Sequence, residues 1–219
     1  MDELASAAAQ DYLKAMYMLQ GEDGTVSTNA LAQRLGVSAA SATKMLKRLA
    51  AMGLVTHVPY RGAELTEGGR KIALEVIRHH RLLETYLAEV MGVPWDEVHA
   101  EAEVLEHVLS ESLEDRMAAL LGHPEADPHG HPIPAKDGAM PARSLRSLWD
   151  ATESEQVTVE RVSDDEAEAL RYLADIAVVP GAVVEVLGRG PKGGPLFVKV
   201  ADGDRQALSK DLAETVWVQ

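Results

Sequence analysis

His99, Glu103, Glu106 and His107 follow one another at i, i+4, i+7 and i+8, and His80 and Glu84 form a further i, i+4 pair upstream. At about 3.6 residues per turn, the first four crowd one side of a helix and the second two share a face. Carboxylates this close repel one another unless a cation joins them, and imidazole with carboxylate is a ligand set for a divalent transition metal. Taken alone, each of the six is a solvated or hydrogen-bonded helix position; together, on consecutive helices, they read as a metal site. Cysteine is absent, which removes disulfides, thiolate nucleophiles and zinc–cysteine sites and leaves His and carboxylates as the strong ligands. His79 points about 100° away from His80 and is expected at the surface. His129 and His131 are spaced for a metal clip, but Gly130 and Pro132 beside them predict a solvated loop.

A second group faces a different kind of ligand. The net charge of −14 argues against a phosphate polyanion, yet from Thr28 through Gly62 there are five basic residues and no Asp or Glu. From Leu82 through Asp127 the balance inverts to twelve acids against Arg116. Within the acid-free stretch, Ser38, Ser41, Thr43 and Lys44 open a short helix whose other face is Met45, Leu46 and Leu49. A helix entering the major groove needs short hydroxyl side chains near its start and cations beside them, and Lys47, Arg48, Tyr60 and Arg61 add to that surface. A capped helix with a solvated face is the plain alternative. Gly36 between two short helices and a following wing favour double-stranded DNA.

These residues need elements to hold them. Leu4 to Gln20 is expected to be a helix, as are Ser27 or Thr28 through Leu35 and the segment from Ser38 to about Met52. Leu54–Val58 and Glu64–Thr66 read as two short strands, completing a winged helix-turn-helix. A long helix runs from Thr66 to about Val90, and helices over 96–109 and 112–121 follow. The stretch 123–141 holds five prolines, a linker composition. Then the period changes: strands over 156–162, 182–187, 196–200 and 215–218, with a helix over 164–177, predict a small β barrel. The expected fold is mainly α with a small C-terminal β domain. It divides into a DNA-binding domain (1–66), a helical dimerisation and metal domain (67–125), a linker (126–150) and an SH3-like domain (151–219). No window is apolar enough to span a bilayer and no secretory signal opens the chain, so no membrane partner and a cytoplasmic location are expected. Aromatics at 4% exclude a stacking platform for single strands.

The chain resembles the iron- and manganese-dependent transcriptional regulators typified by the diphtheria toxin repressor and the manganese transport regulator. The resemblance runs over nearly the whole chain, through Asp11-Tyr12-Leu13, Ser41 to Met45, Tyr60-Arg61-Gly62, His80 to Glu84, Val98-His99, Glu103 to His107 and Pro132-Ile133-Pro134. It implies a metal-activated repressor acting as a homodimer on a DNA operator, with a winged helix-turn-helix, a helical dimerisation and metal domain, and an SH3-like domain. It implies one site at Asp11, Glu103, Glu106 and His107. A second would use His80, Glu84 and His99, with a C-terminal ligand near Glu160; the family's amide ligand falls on Ser163, or on Asp164 if the gap moves. Iron-type members carry sulfur ligands where this chain has Asp11 and Glu103, and hard oxygen donors favour Mn²⁺, with Fe²⁺ second. Where the manganese branch has a first-helix carboxylate, this chain has Lys14. A metal-dependent hydrolase is the rival from another class, but no separate general base or oxyanion donor is identifiable and no organic substrate is expected. A winged-helix regulator sensing an organic ligand would bind DNA without metal.

Overall fold

A computed structural model describes residues 6–20, 24–58, 61–141 and 144–219. The chain forms two compact units: residues 1–80 with 106–109 and 134–139, and residues 81–105 with 110–133 and 140–219.

In the first unit, α1 (Ala7–Leu19) buries Ala9, Tyr12, Leu13, Ala15 and Met16, while Ala8 is exposed; Leu4 lies outside the described residues. Ser27 accepts a hydrogen bond from the Ala30 amide and caps α2 (Thr28–Arg34). Gly36 turns the chain with a positive φ of 63°, and Ser38 then caps α3 (Ala39–Ala51) by accepting from the Ser41 amide at 3.1 Å. Each cap satisfies one amide that has no partner inside its helix. Along α3, Ala42, Leu46 and Leu49 are buried, the i, i+4, i+7 face of a helix lying on a core.

The wing is a three-stranded antiparallel sheet rather than the expected hairpin. Strand β1 (Thr25–Val26) adds to β3 (Gly62–Leu65), which pairs with β2 (Val55–Val58) in the order β1-β3-β2. Two residues carry no period, so β1 exists only through its partners, Thr25 opposite Glu64 and Val26 opposite Ala63. Gly62 permits the approach: a Cβ there would stand 2.0 Å from the Val26 carbonyl oxygen. The Thr66 hydroxyl accepts from the Gly69 amide at 3.1 Å and donates to the Gly53 carbonyl at 2.9 Å, so the start of α4 (Glu67–Glu89) is tied to the end of α3.

In the second unit, α5 (Val98–Leu105) and α6 (Glu111–Leu120) are short. The C-terminal part is a six-stranded antiparallel sheet in the order β4-β9-β5-β6-β7-β8. Its strands are β4 (Arg146–Ser147), β5 (Gln156–Val162), β6 (Val183–Arg189), β7 (Leu196–Val200), β8 (Gln206–Leu208) and β9 (Val216–Val218). A 3₁₀ turn (Leu148–Asp150), α7 (Ala167–Asp175) and α8 (Lys210–Glu214) complete it. Val157, Val159 and Val162, Val184 and Val186, Leu196 and Val198 alternate inward against Leu170 and Leu173 of α7. This is the expected small SH3-like β domain closing over one apolar core.

Candidate metal centre

The first unit gathers a donor set around α1. The helix expected over 96–109 stops at Leu105, so Glu106 and His107 stand in the turn beyond it. His107 Nε2 lies 2.9 Å from Asp11 Oδ1, and its Nδ1 donates to Gln10 Oε1 at 2.6 Å. The Glu106 carboxylate is fully buried; Lys14 Nζ donates to both its oxygens at 2.8 and 3.0 Å, and His80 Nδ1 lies 2.5 Å from Oε2. Ligand atoms of Asp11, Glu106 and His107 all fall within 4.8 Å of one another. His79, expected at the surface, is instead buried, with Nδ1 at 3.2 Å from the Glu106 carbonyl oxygen. A small cavity lined by Gln10, Val76, His79, Glu106 and His107 opens beside it.

The second unit gathers another. Glu84, on α4 and fully buried, lies 3.2 Å from His99 Nδ1, which is 3.3 Å from Asp164 Oδ2. Asp164 is therefore the C-terminal residue that joins this set; Glu160, on β5, belongs to none of the donor clusters among the described residues. Glu103 is half-buried, its Oε1 3.8 Å from His99 Nε2. Hydrogen bonds to Asp164 and Glu84, set against burial, raise His99 to about 10. Burial pushes the Asp164 carboxyl up, but the hydrogen bond to His99 and the charge of His131 hold it well below the usual range.

The linker histidines correct the expectation of a solvated loop. His129 is fully enclosed and His131 nearly so. Asp127 Oδ1 accepts from the amides of both, at 2.9 and 3.0 Å, and so folds the loop around itself. The loop then docks on β5: the Val162 amide donates to the His129 carbonyl at 2.9 Å, and Gly130, at a φ of 87°, leaves only 2.0 Å between the Glu160 carbonyl oxygen and where a Cβ would sit. His129 stacks on Trp95 and donates from Nε2 to the Trp95 carbonyl at 2.8 Å, leaving Nδ1 3.8 Å from Glu84 Oε1. Burial lowers His129, but Glu84, Asp127 and the Trp95 carbonyl outweigh it and raise the ring to about 9. Among the described residues, no hydrogen-bond partner meets His129 Nδ1 or His131 Nδ1. His131 Nδ1 lies 3.4 Å from Asp127 Oδ2, so each of these buried ring nitrogens meets a carboxylate without a hydrogen bond, an arrangement suited to a divalent cation between them. The spacing of His129 and His131 points to a metal clip; Gly130 and Pro132, which argue for a solvated loop, instead let the loop pack against β5.

Opposite in character is the exposed face of α3, where Ser38, Ser41, Thr43, Lys44, Lys47 and Arg48 all reach solvent, as does Arg61 beside the wing. The Thr43 hydroxyl donates back to the Ala39 carbonyl at 2.8 Å. Tyr60 lies outside the described residues.

Comparison with known proteins assigns these features to a family. Residues 5–63 match the N-terminal DNA-binding domain of iron-dependent repressors, residues 66–135 their metal-binding and dimerisation domain, and residues 146–219 the FeoA domain. The iron-dependent repressor IdeR of Mycobacterium tuberculosis is 34% identical over 233 residues, covering 100% of this chain and 99% of that one. A solved manganese-dependent transcriptional repressor in complex with manganese is 44% identical with a TM-score of 0.88, covering 96% of this chain and 98% of its own. The structure of ScaR with bound Cd²⁺ is 33% identical with a TM-score of 0.81, over 96% and 98%. With an exposed basic helix and two buried sets of hard donors already in place, this chain belongs to the iron-dependent repressor family, metal-responsive DNA-binding transcriptional repressors with a dimerisation domain, not enzymes.

Proposed function

We propose that this repressor answers to Mn²⁺, with Fe²⁺ as the second candidate, through two donor sets. The first is Asp11, Glu106 and His107, with His80 bonded to Glu106. The second centres on Glu84, with His99 and Asp164 beside it and His129 and His131 completing it; the approach of Glu103 to His99 supports counting it here. The observation that carries the reading is the pair of buried imidazole nitrogens that face carboxylates without hydrogen-bonding to them, His129 Nδ1 at 3.8 Å from Glu84 and His131 Nδ1 at 3.4 Å from Asp127. Oxygen and imidazole donors with no sulfur suit a harder ion than a thiolate site would select.

The DNA side is read on α3 and the wing. Ser41 and Thr43 present hydroxyls, Ser38 lends its cap, and Lys44, Lys47, Arg48, Arg61 and Tyr60 supply phosphate contacts. Paired protomers set two such helices against half-sites about one helical turn, or a multiple of it, apart. Exposed Val104, Leu113 and Leu120 on the middle helices support an apolar pairing surface there. The matches over 5–63 and 146–219 support domains at 1–66 and 151–219, while the metal-binding and dimerisation match runs on to 135, past the 125 at which the middle domain is expected to end. A repressor of this kind works in the cytoplasm, where the chromosome is.

The deciding experiment combines metal content after native purification with operator affinity for each divalent ion at fixed salt. Tightest binding with Mn²⁺ and loss on chelation support the reading; affinity indifferent to chelation sinks it. Asp11→Ala should keep the fold and weaken the Mn²⁺-dependent gel shift by about tenfold or more, and an unchanged titration would remove Asp11 from the ligand set.

A further inference from the structure

Lys14 sits one turn after Asp11 on α1 and grips Glu106 with its ammonium 2.8 Å from one carboxylate oxygen and 3.0 Å from the other. The same Nζ lies 3.1 Å from His80 Nδ1, which is itself 2.5 Å from Glu106. One carboxylate and one imidazole thus close on a single point of positive charge. The Glu106 side chain is wholly buried while Lys14 keeps only 17% exposure, and a carboxylate enclosed to that degree needs a cation beside it. In the first unit, Lys14 is that cation.

We propose that Lys14 is a built-in competitor for the divalent ion: its ammonium already occupies part of the anionic field of Glu106, and so sets how tightly the first donor set takes its ion and limits that set to one. The inference rests on the first donor set proposed above. Asp11 and Glu106 carry one negative charge each and Lys14 one positive. A single divalent ion leaves the set with a small positive excess, whereas a second would be held against two cations at contact distance. Ion and ammonium must also share Glu106, so each weakens the hold of the other. Two opposite effects follow from removing the charge. The metal-free protein loses stability, because Glu106 is left buried with a poorer partner, and the metal-loaded protein gains, because the carboxylate is released to the ion. A lysine that merely braces the fold would, when removed, lower both.

The test uses the full chain as Lys14→Met and Lys14→Gln, the second keeping a polar head should the first fold poorly. Metal-free melting temperature and calorimetric titration with Mn²⁺ are read together, with Asp11→Ala as the reference for the first set. The expected result is a lower melting temperature without metal, a larger rise on adding Mn²⁺, and an affinity for the ion assigned to Asp11 tighter by about tenfold, the size of effect a unit charge in contact imposes on a neighbouring ionic equilibrium. If Asp11→Ala loses one ion and both Lys14 variants bind that ion no tighter than the parent, the competitor role is overturned while the donor set stands. If Asp11→Ala loses no ion, the donor set itself falls and this inference with it.

Discussion

At the scale of single residues, the proposed ligands His99 and His129 set protons against metal. His99 and His129 titrate at about 10 and about 9 in the fold against an ordinary value of 6.5. Their ion pairs with Glu84 therefore stabilise the metal-free protein fully below pH about 6.5 and fade as the pH rises through 9 to 10. A bound cation needs the neutral imidazole, so loading must expel protons, and Mn²⁺ affinity should climb from pH 6 to pH 9. Titration calorimetry in buffers of different ionisation enthalpy measures the protons released; a pH-independent affinity would exclude both rings as ligands. What sequence made visible at this scale was the donors that share helix faces: His80 with Glu84, His99 with Glu103. What it left open was decided by packing. Asp164, just past the end of β5, meets His99, whereas Glu160 lies within the strand, beside the register shift between Val159 and Arg161. His79 is buried because the turn carrying Glu106 covers it, a contact between positions 27 apart that no local period reveals.

Among the elements, the Asp127–Ile133 loop shows how a proline-rich segment can be packed into a fold. Its composition forbids helix and central strand, and it forms neither. Composition says nothing about docking, which comes from the Asp127 carboxylate folding the loop and from β5 accepting it. Gly130 is the tight point. Gly130→Ala places a methyl against backbone and strains a positive φ, which should cost about 2–4 kcal/mol of stability and displace the His129 and His131 rings. Denaturant unfolding measures the first effect and loss of the second ion the second; a variant as stable as the parent would show that the loop does not bear on β5. By contrast, the helices of the DNA-binding unit were legible almost throughout, since Ser27, Ser38 and Thr66 are caps that sequence names and structure uses. Only β1 escaped, being two residues long.

Over the whole molecule, a chain of net charge −14 must bring an acid-free surface to a polyanion. Repulsion of phosphate by the rest of the chain acts over distance and is screened by salt more strongly than direct contacts are. Each Lys or Arg that reaches a phosphate adds roughly 0.9 to the slope of log affinity against log salt. Lys44→Ala should weaken operator binding for matched and mismatched sequences alike and reduce that slope by about 1, measured by fluorescence anisotropy across salt concentrations. A change confined to one base position would make Lys44 a base reader instead. No helix among the described residues is long and apolar enough to cross a membrane.

Every atom that clusters in the two donor sets is a carboxylate oxygen or an imidazole nitrogen. Neither is altered by the mild oxidants that convert thiolates to sulfenic acids or disulfides. Nitrosothiols and other thiol-directed reagents that silence a thiol-liganded sensor should therefore leave the metal-dependent hold of this repressor on its promoters intact, keeping metal status and thiol oxidation as separate signals.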